Sequence, residues 1–127
     1  GTTGFTLCLY DEVAGSWSLK LSAALPGGGT CARKPCWKAS GATGFRYGDR
    51  GATPDGVYQA ALKAGVGGQA SIKVKAKGIH LAMPALPLAQ DTTVTAQLVS
   101  GDGICWASAY DVPALRNDGA QFKDTLD

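Results

Sequence analysis

Four cysteines stand in 127 residues, and two of them open Cys-Trp pairs, Cys36-Trp37 and Cys105-Trp106, within short alternating segments separated by glycine. An even number of cysteines in a small chain reads as disulfides formed in an oxidising compartment. The competing reading, a zinc site, needs ligands in tight pairs. Cys8 and Cys105 are isolated, and the only histidine, His80, has no neighbour at metal spacing. Two bridges are therefore expected. The run Cys31-Ala32-Arg33-Lys34-Pro35-Cys36 can close on itself, which pairs Cys31 with Cys36 and leaves Cys8 to join Cys105.

Period-two alternation supplies the strands. Residues 5–13 set Phe5, Leu7 and Leu9 against Thr6, Cys8 and Tyr10, and residues 16–25 set Trp17, Leu19 and Leu21 against Ser16, Ser18 and Lys20. A turn over 11–15 makes them a hairpin. Residues 36–40 and 44–48 flank Gly41-Ala42-Thr43, and residues 57–64 return as 69–77 through Gly65-Val66-Gly67-Gly68. In that last arm Ile72 and Val74 are expected in the core, with Lys73, Lys75 and Lys77 in water. Pro84 and Pro87 exclude 81–88 from a central strand. Residues 92–99 and 104–110 form another hairpin around Ser100-Gly101-Asp102-Gly103, and the stretch from Pro113 reads as a helical turn at 114–117 or an edge strand at 121–123. About eight mostly antiparallel strands with hairpin connections indicate an all-β fold, a β-sandwich with a small barrel as the alternative.

A chain of this length supports one hydrophobic core, so residues 1–127 are expected to form a single domain. Its formal charge of +2, from 12 basic and 10 acidic residues, is too balanced to imply nucleic acid or a membrane surface as partner. There is no long apolar run for a membrane span and no signal-peptide pattern, and the start at Gly1-Thr2-Thr3 reads as a processed end.

The run Gly44-Phe45-Arg46-Tyr47-Gly48-Asp49, then Thr53-Pro54-Asp55-Gly56, Met83-Pro84-Ala85-Leu86-Pro87 and Cys105-Trp106 resembles a β-rich module of large secreted bacterial proteins, across nearly the whole chain. That resemblance implies secretion and a modular, accessory or surface role. It assigns no active site.

Catalytic chemistry finds little support in these residues. His80 lies among apolar neighbours, and the aspartates occupy turn-like sequence, where their side chains bond nearby amides. Asp49 and Asp55 bracket a glycine-containing loop that can offer oxygen ligands to Ca²⁺, although Arg50 and the missing terminal glutamate depart from calcium-loop patterns. No other cofactor is implied. Lys73, Lys75 and Lys77 form a stripe that either solubilises an edge or binds an anionic polymer. Trp37 and Trp106 are expected to pack in the core beside disulfides, which leaves Trp17 and Tyr47 as exposed aromatic candidates for a ligand. The reading is a non-enzymatic extracellular or cell-surface module, binding or structural, whose partners are other extracellular domains, copies of itself or a polysaccharide. A carbohydrate-binding, lectin-like module is the alternative, and an enzyme ranks third.

Overall fold

The computed structural model describes residues 2–124; Gly1 and the last three residues lie outside it. The chain order is β1 (Phe5–Val13), β2 (Ser16–Leu25), β3 (Thr30–Cys31), β4 (Lys34–Pro35), β5 (Trp37–Ser40), β6 (Gly44–Gly48), β7 (Val57–Lys63), β8 (Ser71–Ala76), β9 (Thr93–Ser100), β10 (Cys105–Asp111), β11 (Arg116–Asn117) and β12 (Phe122–Lys123). No helix occurs among the described residues, so the segment after Pro113 resolves into the short β11–β12 pair and not a helical turn. The fold is all-β. Its two four-stranded sheets run β10-β9-β1-β2 and β5-β6-β7-β8. Each ends in two edge strands, so neither closes into the small barrel.

The chain divides into two compact units. Unit 1 contains residues 1–5 and 23–82, and unit 2 contains residues 6–22 and 83–127. In unit 1 the β5–β8 sheet keeps one register apart from a bulge between Val57 and Gln59 on β7: Trp37, Tyr47, Ala60 and Val74 are successive cross-strand partners, and so are Ala39, Phe45, Leu62 and Ile72. Partners in an antiparallel ladder point to the same side, so these eight residues make one apolar face. Trp37, Tyr47, Val57 and Ala60 are buried there, with Ala23 and Leu25. Phe5 and Tyr47 pack their rings on Trp37 at 5.5 and 5.1 Å, and Trp37 Nε1 donates to the Pro26 carbonyl at 2.9 Å. The hydrogen bond satisfies the one polar atom of a buried indole. Ile72 departs from expectation: it lies on the apolar face but is 44% exposed, and Phe45 of the same row, on a central strand, is 48% exposed, so the cover of this face stops at the Trp37 row.

In unit 2 the β9–β10 hairpin pairs Cys105 with Val99 through to Asp111 with Thr93. Val94 and Leu98 are buried on alternate positions, with Leu88. The proline-bearing segment that ends at Leu88 forms no strand, and its continuation is held by polar bonds. Asn117 accepts from Leu88 N at 2.9 Å and donates to Leu88 O at 2.7 Å, while Ala89 N donates to Asp11 Oδ2 at 3.1 Å.

Only one of the expected bridges forms. Cys31 and Cys36 are joined across a Cα separation of 4.9 Å, whereas Cys8 and Cys105 are free thiols. Cys8 belongs to β1 and Cys105 to β10, and β9 runs between them. Two strand spacings hold their backbones about 10 Å apart, beyond the reach of a disulfide. The bridge that does form spans a two-residue hairpin turn whose central residues, Ala32 and Arg33, both carry positive φ, 50° and 68°. A turn of that kind ordinarily uses Asn and Gly, so the cross-link restrains a backbone that these side chains disfavour.

Two thiols per chain should accordingly titrate with a thiol reagent in denaturant, before any reductant is added. Loop-closure entropy for so short a ring values the bridge at roughly 2 kcal/mol. Cys31→Ala with Cys36→Ala should lower the unfolding free energy by about that amount, while Cys105→Ser, at an exposed position, should stay within about 0.5 kcal/mol in urea melts.

Candidate functional site

The side of the β5–β8 sheet opposite the tryptophan gathers five cationic side chains. The register aligns Lys38, Arg46, Ala61 and Lys73 in one row across four strands, Ser40, Gly44, Lys63 and Ser71 in the next, and Gly48, Gln59 and Lys75 in a third. All five cations of this face are exposed. No carboxylate lies on it, and none of the five enters an ion pair among the described residues. From the backbone of Lys38 to that of Lys73 the row spans about 14 Å.

Two of the five expected ligand residues, Lys73 and Lys75, fall on this face. Lys77 follows the end of β8 and its ammonium sits 4.9 Å over the Tyr58 ring, a cation–π contact beside the β-bulge at Tyr58. Tyr47 cannot serve as an exposed platform: it is 3% exposed, because its place in the register puts it on the apolar side against Trp37. Trp17 is 56% exposed and stacks obliquely on Tyr10, with ring centroids 6.2 Å apart. Trp106, expected in the core, is 44% exposed, since the pairing that was to bury it beside a disulfide does not exist.

Lys38, Arg46 and Lys63 were not anticipated. The signal for them was in the hairpin turns: once Gly41-Ala42-Thr43 pairs Lys38 with Arg46, and the next turn pairs Arg46 with Ala61, every cation follows from alternation against Trp37, Phe45 and Tyr47.

The net charge of +2 conceals a strong partition. Unit 1 holds nine of the lysines and arginines and only two acidic residues, Asp49 and Asp55, while unit 2 holds three basic and eight acidic residues. The formal charges are therefore +7 and −5, which sum to +2 as required. A field of one sign over a single unit attracts counterions that the whole-chain charge would not predict.

The proposed calcium loop is occupied with its own backbone. Asp49 Oδ1 accepts from Gly51 N at 2.9 Å and Oδ2 from both Thr53 N and Thr53 Oγ1 at 3.0 Å. Asp55 Oδ2 accepts from Ala24 N at 2.8 Å. Among the described residues no three His, Cys, Asp or Glu side chains gather into a metal-holding group. In unit 2 Glu12 accepts from the hydroxyls of Thr92 and Thr93 at 2.8 Å, and buried Asp11 lies 3.8 Å from the Lys20 ammonium. Each of these carboxylates is tied into its own part of the fold. Compared with protein-family models, with curated proteins and with solved structures, the chain matches none.

The bonded carboxylates set a pH dependence. The Thr53 backbone amide chiefly holds Asp49 below its ordinary range, the Thr92 and Thr93 hydroxyls do so for Glu12, and the Arg116 guanidinium does so for Asp118. A carboxylate lowered in the folded state contributes stability above its unfolded pKa, near 4, and loses it as pH falls through the folded value. The urea midpoint should therefore drop between about pH 5 and pH 2, and Asp49→Asn should flatten part of that drop.

Proposed function

We propose that the chain is a non-enzymatic binding module of β-sandwich class, belonging to a secreted or cell-surface protein or assembly, and that its ligand is an acidic polysaccharide held on the cationic face of the β5–β8 sheet. The observation that carries this reading is the face itself. Lysines that merely protect a sheet from edge pairing belong on edge strands. Lys38, Lys73 and Lys75 do lie on edges, but Arg46 and Lys63 lie on the two central strands. Like charges set opposite one another, as Lys38 and Arg46 are, cost stability. A cost carried across a whole face, with no acid to offset it, is accounted for by an anion that arrives from outside.

The remaining residues of the face suit sugars better than bases or a buried small molecule. Ser40, Ser71 and Gln59 offer hydroxyl and amide partners, and Gly44, Gly48 and Ala61 leave the surface between the cations low. None of the residues paired in these three rows is aromatic, so the rows themselves offer no ring to stack a nucleobase. The resemblance to modules of large secreted bacterial proteins and the Cys31–Cys36 bridge support an extracellular setting. Exposed Trp17 beside Tyr10 favours a second reading, a lectin-like site for neutral sugars, and Trp17→Ala reports on it separately.

Binding to a uronate or sulfated polysaccharide, measured by calorimetry or retention on an immobilised polymer, should weaken steeply with salt. Replacing Arg46, Lys73 and Lys75 by Gln should reduce affinity roughly tenfold, at about 0.5 kcal/mol for each exposed charge. The same change of charge at Arg50, Arg116 and Lys123 should leave it nearly unaltered. Equal losses from the two triple variants would show that bulk charge, and not this face, does the binding.

A further inference from the structure

We infer that β10 is a pairing edge through which two copies of this chain join their sheets, antiparallel and about a two-fold axis at Ser108. β10 is the terminal strand of the β10-β9-β1-β2 sheet, with β9 as its only neighbour among the described residues. The ladder fixes which backbone groups are spent. Val112 N donates to Thr92 O and Ser100 N to Ile104 O, so the even-numbered residues of this strand direct their N–H and C=O toward β9. Cys105, Ala107, Ala109 and Asp111 consequently direct theirs outward, and all four residues are exposed.

The other edges are guarded. Lys20 lies on β2, Lys38 on β5, and Lys73 and Lys75 on β8. β10 reads Cys-Trp-Ala-Ser-Ala-Tyr-Asp, seven residues without lysine, proline or bulge, and its register against β9 is unbroken. A long, regular edge without such devices is a template for a further strand.

The sequence of the edge favours a second copy as that strand. Isologous pairing requires that a surface complement itself. With the two-fold at Ser108, all seven residues of each β10 are paired, the longest overlap available. Cys105 then faces Asp111 of the second copy and Ala107 faces its Ala109, which matches the four outward backbone pairs to one another. On the other side of the ribbon Trp106 faces Tyr110 of the second copy, twice by symmetry, in the closer class of antiparallel pair where aromatic partners interact best. Trp106 is 44% exposed in the single chain, so part of its ring is available to that contact.

Sedimentation of the 127-residue chain over about 1 µM to 1 mM should show the mass rising toward twice that of one copy. Ala107→Pro with Ala109→Pro deletes outward N–H groups only, which β9 does not use, and should hold the chain monomeric with an unchanged far-ultraviolet spectrum. If the proline variant fails to fold, a second test stands on its own. In a Cys8→Ser, Cys105→Ser background, Ser108→Cys should oxidise rapidly to a linked dimer, because the axis sets residue 108 opposite itself, while Asp111→Cys should not. A wild-type chain that stays monomeric, a folded proline variant that still dimerises, or equal cross-linking at 108 and 111 would overturn the inference. So would a monomer that takes up a foreign extended peptide at this edge in place of its own copy.

Discussion

The cross-strand row of Trp37, Tyr47, Ala60 and Val74 is the constraint on which unit 1 depends. A side-chain period of two means that a slip of one residue in any of the four strands would exchange faces, sending Lys38, Arg46, Lys63 or Lys73 inward and an aromatic or branched side chain outward. Burying an ammonium group costs far more than exposing a valine. The cationic face therefore helps to specify the register as much as the apolar face does. The proposed binding chemistry and the specification of the register rest on the same residues, so the five charges serve the fold despite their mutual repulsion.

What could be read from the sequence was whatever local alternation and turn residues determine. The first hairpin, at Phe5–Val13 and Ser16–Leu25, follows from alternation on both sides of a turn, and the β7–β8 hairpin follows from its glycines. What could not be read was the order of strands that are distant in sequence. Pairing Cys8 with Cys105 assumed that the first and late strands are neighbours, and the placing of β9 between β1 and β10 is a tertiary choice that neither local pattern records. Trp106 was misplaced for the same reason. Tyr47 was a different kind of miss, since its alternation with Phe45 against Trp37 already set it on the dry side.

The polar interior shows how acidic residues have been divided between structure and surface. In unit 1 the two aspartates that might have neutralised the basic face are spent on backbone amides, Asp49 within its own turn and Asp55 on Ala24. The +7 of this unit thus has no internal counterweight on its sheet. In unit 2 the reverse holds: Asp11 and Glu12 secure segments around residues 89–93, and the surplus of acid keeps the chain as a whole near neutrality. A near-neutral whole with one strongly basic unit would limit indiscriminate adhesion to polyanions and still leave the proposed face its local positive field.

The open edge and the cationic face, read together, account for a difficulty in the functional proposal. A sheet face of exposed lysines and one arginine would bind each ligand segment weakly, because every cation remains solvated and every contact is screened over about 8 Å at physiological salt. Joining two chains at the proposed β10 edge would give one assembly two such faces, and a long polymer could engage both. The second contact then becomes intramolecular and can raise the overall avidity by orders of magnitude without adding a new interaction. The absence of guarding lysines on β10 and their presence on β8 are, under the two proposals, parts of one arrangement: one edge would recruit a copy, and the sheet face that stays wet would keep its charges for the ligand.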